Sequence, residues 1–310
     1  MKKLVLILAA TFTLFSCELV VRPGVLNHVS IGVSEMDMSS FAAETKADIE
    51  ISEELVSFAW SEDDVVGMFP DRGAQAYFEM AEHVGQATAE FDGGGWALKT
   101  ASKYAVYYPY SYDHRERTAI PLHYKGQKQS GNGNYDHLKA FQHLATGAAK
   151  PVNGSCNYSM DRAEAILRFR LKLPRIAVYE KLSIKLADGS KIVVSTKLDV
   201  SGETYQITPT DYVSKFDVSL ENVSTTQENQ VVDFYLMLPP QNFVDKKIII
   251  SVDTVEGDCC QAEIDGKNML NNGAYHYEAT LTTEFGSSGE DFEGVDGKWE
   301  EDNNENEDEA

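Results

Sequence analysis

Cysteine is scarce in this chain: four in 310 residues, at positions 17, 156, 259 and 260. No pair has the C-x-x-C spacing, which excludes the usual zinc and thioredoxin-type patterns. Cys259 and Cys260 are adjacent, and the peptide between neighbours strains a bridge. A disulfide from Cys156 to either of them, or two or three free buried thiols, both stay open. The seven histidines are scattered, and none falls in an H-E-x-x-H or other ligand spacing; His137 and His143, six apart, match no common site. No metal or cofactor is expected. G-x-S-x-G, the P-loop and G-x-G-x-x-G are all missing. Asp92-Gly-Gly-Gly-Trp96 has the glycines but no following helix to offer amides to a phosphate, so it reads as a turn. With 49 acids any carboxylate pair can be proposed, so none discriminates, and a non-enzymatic chain is expected.

Basic charge is also in deficit. There are 27 Lys and Arg against 49 Asp and Glu, a net of −22, which argues against nucleic acid as a partner. Residues Glu290–Ala310 carry eleven acids and one lysine, a net of −10, which leaves −12 on the rest. That stretch, from about 286, reads as a solvated acidic tail. Long amphipathic helices are missing, which argues against a doubly wound fold. Past the first residues, no apolar run reaches the length of a membrane span.

What is present starts at the N-terminus. Lys2 and Lys3 precede the apolar stretch Leu4–Phe15, and Leu14-Phe15-Ser16-Cys17 matches a lipobox. Residues 1–16 then form a lipoprotein signal, and Cys17 becomes the acylated N-terminus. Each buried methylene contributes about 0.8 kcal/mol, and more than one chain holds stably. The mature chain is expected beside a membrane, outside the cytoplasm.

The body reads as all-β. Leu26–Val33 alternates well enough for a strand. Ile49 and Ile51, then Val56, Phe58 and Trp60, alternate with polar residues. Val65–Phe69 ends at Pro70, and Tyr104–Tyr108 is closed by Pro109. Tyr124–Tyr135 is rich in Gly, Asn and Gln and reads as loop; Asp136–Thr146 has room for a short helix. Lys150–Ser155 looks like a junction between bodies. Ala165–Leu173 alternates, with Ile166 and Arg168 on one face and Leu167, Phe169, Leu171 and Leu173 on the other. Asp188-Gly189 is the strongest hairpin signal, and Tyr275–Leu281 the last long strand. Short, turn-punctuated strands of this kind suggest β-sandwiches. Tyr108, Tyr110 and Tyr112 would share one face of a strand, where they could stack on sugars or fill a core edge.

Several segments together resemble the fimbrillin-like lipoproteins of Bacteroidetes, the structural subunits of pili. Phe58-Ala-Trp60 with Ser61–Phe69 is similar to that family's Trp-x-x-x-Asp segment and Val-Gly-x-Phe strand. Tyr104-Ala-Val-Tyr-Tyr-Pro-Tyr110 resembles its Tyr-rich strand, and Ala163–Leu171 the opening strand of its second domain. Met237-Leu-Pro-Pro240 and Leu270–Leu281 resemble late elements. The resemblance implies two tandem transthyretin-like β-sandwich domains, here 47–155 and 156–285, behind a 17–46 segment holding a removable strand. It implies an outer-membrane lipid anchor at the cell surface, other pilus subunits as partners, and a role in adhesion. It also implies assembly by strand exchange, after a protease cuts behind a basic residue. Lys46 takes that position in this chain. Asp253-Thr254-Val255 looks like the short O-glycosylation sequon of exported Bacteroidetes proteins, with Thr254 as acceptor. The alternative is a lipid-anchored glycan-binding protein that uses Tyr108, Tyr110 and Tyr112.

Overall fold

The computed structural model describes residues 26, 28–34, 48–51, 56–93, 101–152 and 156–283, with backbone only for 48–51, 56 and 57. The signal 1–16, Cys17, Lys46 and the acidic stretch 286–310 lie outside the described residues. What is described is almost wholly β, with one short 3₁₀ turn at Asp136–Phe141.

The first body is a closed ring of seven strands. His28–Val33 runs parallel to Cys156–Arg162 and antiparallel to Thr88–Gly93. Around the ring follow Leu144–Ala145, Tyr104–Tyr108, Val65–Pro70 and Ala76–Glu82. Closure leaves no unpaired edge. The first strand makes the closure by filling the gap between the two ends of the sheet. Every second side chain faces in, as the strand period requires. The core centres on Trp60, whose ring meets Phe58 and Phe91 edge-on at 4.7 and 4.9 Å. Gly67 is needed here: a Cβ would fall 2.1 Å from the Tyr107 ring that lies over it.

A second apolar core is shared by two sheets. In one, Ala165–Leu173 is central, antiparallel to Gln230–Leu238 and parallel to Gly273–Thr280. The other runs in the order Cys259–Asp265, Lys247–Thr254, Val178–Leu186, Phe216–Ser224, Lys128–Ser130. The alternation read in Ala165–Leu173 holds. Leu167, Phe169, Leu171 and Leu173 fill this core, while Ile166 faces a third cluster and Arg168 pairs with Asp233 at 2.9 Å. Asp188-Gly189 makes the expected tight turn, with Gly189 at φ 77° and its N–H donated to the Leu186 carbonyl. It closes no hairpin: Val178–Leu186 and Ile192–Asp199 lie in different sheets and pair with other strands, because the chain crosses from one sheet to the next at this turn.

Strand pairing crosses the 155/156 boundary in both directions. Cys156–Arg162 completes the first ring. Ile120–His123 pairs with Ile192–Asp199, which also carries Gln206–Val213, and Lys128–Ser130 pairs with Phe216–Ser224. The third apolar cluster draws on both halves, from Phe69 and Tyr107 to Tyr235 and Met237.

The Gly- and Gln-rich segment read as loop has a structural task. Gln127 and Gln129 are buried, and their amides stand in for a neighbouring strand. Met237 donates its N–H to Gln127 Oε1 (2.9 Å), and Gln127 Nε2 donates back to the Met237 carbonyl (2.6 Å). Tyr235 N–H reaches Gln129 Oε1 (2.9 Å), and Gln129 Nε2 the Asp233 carbonyl (3.0 Å). The free edge of Gln230–Leu238 is satisfied by side chains, as buried backbone groups must be.

Candidate functional site: the seat of the first strand

His28–Val33 is the first strand of the ring in chain order, and it is gripped on both flanks. Val29, Ile31 and Val33 point inward at 0%, 0% and 7% exposure, beside Phe91, Tyr158 and Met160. At about 1.5–3 kcal/mol per buried side chain, the three stabilise the seated strand by roughly 5–9 kcal/mol, before the entropy of ordering it is set against that. Its backbone pairs with Phe91 and Ala89 on one side and with Cys156, Tyr158 and Met160 on the other. Beyond its end, Ser34 donates its N–H to the Met160 carbonyl at 2.8 Å.

Outward-facing residues complete the grip. His28 reaches Asp92 Oδ1 with Nδ1 at 2.7 Å and Glu90 Oε2 with Nε2 at 2.8 Å. The hydrogen bond to Asp92, with both carboxylate charges behind it, raises the His28 pKa above its ordinary value. Without this strand, the flanking strands Thr88–Gly93 and Cys156–Arg162 would each show unpaired N–H and C=O groups beside an apolar cleft. Such a cleft accepts an added strand.

The other sequence-predicted residues are dispersed. Tyr108, Tyr110 and Tyr112 do not share a strand face, because the strand ends at Tyr108, ahead of Pro109. Tyr108 is half-buried against Trp60 and donates to Asp64 Oδ1 at 2.8 Å. Burial and that carboxylate push its pKa upward. Tyr110 leans on Tyr77, and Tyr112 is exposed with the Arg115 guanidinium 4.0 Å over its ring. No tyrosine platform for a sugar results.

Thr254 is 1% exposed, and its Oγ1 accepts the Asp258 N–H at 3.1 Å, so the folded chain hides the sequon hydroxyl. Cys156, Cys259 and Cys260 are free thiols. A bridge from Cys156 to the pair is not formed, because Cys156 packs into the first core and Cys260 into the second. Among the described residues, no group of His, Cys, Asp and Glu is arranged to hold a metal ion.

Sequence reading missed the buried knot where the two halves meet. Arg162 and Glu164 are both fully buried. Glu164 accepts the His143 N–H at 3.0 Å and the Tyr124 hydroxyl at 3.4 Å. Asn272 donates its N–H to the carbonyls of both Arg162 and Glu164 at 3.0 Å. Burial pushes the Arg162 pKa down to about 10, opposed by the Glu164 charge. Two ionisable residues flanking Ala163, just ahead of an apolar run, were its only sequence signal.

These features define an all-β protein with one sheet completed by its N-terminal strand. A solved structure of a candidate cell adhesion protein from Bacteroides ovatus has the same fold. It is 14% identical, covers 82% of this chain and 93% of its own, and superposes with a TM-score of 0.55. A second such protein, from Bacteroides uniformis, matches at 13% identity over 72% of this chain and 88% of its own, with a TM-score of 0.49. The C-terminally truncated tip fimbrial protein Mfa3 of Porphyromonas gingivalis matches at 10% identity, 70% and 90% coverage and a TM-score of 0.37. The likeness to the first of these shows a shared fold. No family model matches the sequence. No curated protein matches it either.

Proposed function

We propose that this chain is a fimbrillin-like subunit of a cell-surface pilus, non-enzymatic and active in adhesion. It is held to the outer membrane through acyl chains on Cys17 until processing frees it. It has two transthyretin-like modules, and only the first takes part in strand exchange. Cleavage after Lys46 severs the segment that carries His28–Val33. That strand leaves, and a strand from a neighbouring subunit takes its seat. The observation that carries this reading is the first strand itself: it closes the ring with three buried side chains, from a part of the chain that one cut upstream of the next strand would release. The shared fold with a candidate cell adhesion protein supports the same assignment.

The test is limited proteolysis of the full mature chain, cut behind Lys46 and run on unheated SDS gels. Ladders that resist SDS are expected, with or without added subunits from the same surface. A chain cut cleanly that stays monomeric in both conditions contradicts the reading.

A further inference from the structure

The rim of the first strand's seat is charged on one side only. On the Thr88–Gly93 side, Glu90 and Asp92 flank the seat. Behind them, Ala76–Glu82 places Glu79 directly opposite Asp92 and Glu82 directly opposite Glu90. Like charges facing across a strand pair destabilise it. On the other side, the outward residues beside the strand are Asn157 and Ser159, both neutral. Among the described residues, His28 is the side chain that bridges the acidic rim, with one ring nitrogen on each carboxylate. Further along, Gly32 faces Thr88, and a Cβ there would lie 3.1 Å from Thr88 Oγ1.

We propose that this seat selects its occupant by charge and size. A strand that replaces the first one carries a basic side chain at the place of His28, apolar residues at the places of Val29, Ile31 and Val33, and a small residue at the place of Gly32. The partner is therefore a basic-led donor strand from a neighbouring subunit. An acidic stretch such as 290–310 has the wrong sign for this rim. The incoming strand rests on the strand-exchange reading above, while the rim's discrimination is a property of the folded chain.

Two measurements separate these. In the intact chain, hydrogen exchange at amides 29–34 reports opening of the seated strand. His28→Glu is expected to speed it about fivefold to tenfold over His28→Lys, the size two facing like-charge contacts support. Adding Glu90→Gln and Asp92→Asn is expected to erase the difference. Equal exchange in the two His28 variants, or a difference that survives loss of both carboxylates, overturns the charge rim. After cleavage behind Lys46, synthetic peptides copying residues 26–34 are offered with His, Lys or Glu at position 28. Tighter uptake of the His and Lys peptides is expected. Equal uptake of all three leaves strand exchange standing and overturns selection. Uptake of none overturns strand exchange and the incoming partner with it, whatever the exchange rates say of the rim.

Discussion

Two sheet edges in this molecule meet the same physical problem and solve it differently. The gap in the first ring is filled by a whole strand, His28–Val33, with three buried side chains and main-chain pairing on both flanks. The edge of Gln230–Leu238 is filled by two glutamine side chains rooted in a segment that also pairs with Phe216–Ser224. The first filler is joined to the other strands of the ring only through chain that follows its C-terminal end. The second is held by covalent chain at both ends. On the function proposed above, a filler of the first kind is exchanged whole after one cut, whereas one of the second kind stays in place. Edges that must not pair with other chains are covered in this way.

Four perturbations sharpen that contrast, in falling order of effect. Glu164→Ala strikes the knot on which both regions depend. It leaves the Arg162 charge buried with less compensation and is expected to destabilise by about 3–5 kcal/mol in chemical denaturation. Both cores should lose stability together. Ile31→Ala removes the central side chain of the seated strand and should cost about 2–5 kcal/mol. Its effect on hydrogen exchange should be confined to the first ring, with amides of Ala165–Leu173 unchanged.

Gln129→Ala strips the cover from the second edge. Tyr235 N–H and the Asp233 carbonyl lose a partner, at a cost of about 1–3 kcal/mol. Exchange should accelerate at residues 233–237, and size-exclusion chromatography should show new self-association. The smallest effect is that of pH on the first strand. The His28 pKa is raised in the folded chain, so the stabilisation by its carboxylate partners is full below the unfolded value near 6.5. It is lost as pH rises through the folded value. Because His28 is half exposed, the change is small, and it should vanish in His28→Gln when exchange at amides 29–34 is followed from pH 5.5 to 8.5.

Much of the fold was legible where burial on one face imposes strict alternation. Ala165–Leu173 assigned its own faces, and Asp188-Gly189 marked a turn through a conformation only glycine adopts readily, though the strands on either side join different sheets instead of pairing as a hairpin. Legibility failed where polar residues do structural work. Gln127 and Gln129 look like loop because their amides replace backbone partners that alternation cannot report. The tyrosines 108 to 112 look like one face until Pro109 ends the strand. Thr254 fits a sequon while facing its own turn. The seat itself was half visible. The apolar alternation of residues 26–33 announced a strand, but its neighbours lie about 60 and 130 positions away, and nothing local names them.

The central claim is that His28–Val33 is a replaceable part of the fold. Native mass spectrometry of the chain, cut behind Lys46 and held with excess isotope-labelled peptide copying residues 26–34, tests it most directly. The account predicts loss of the N-terminal fragment and gain of one labelled peptide per chain. A fragment that stays bound, with no labelled mass gained, would contradict it.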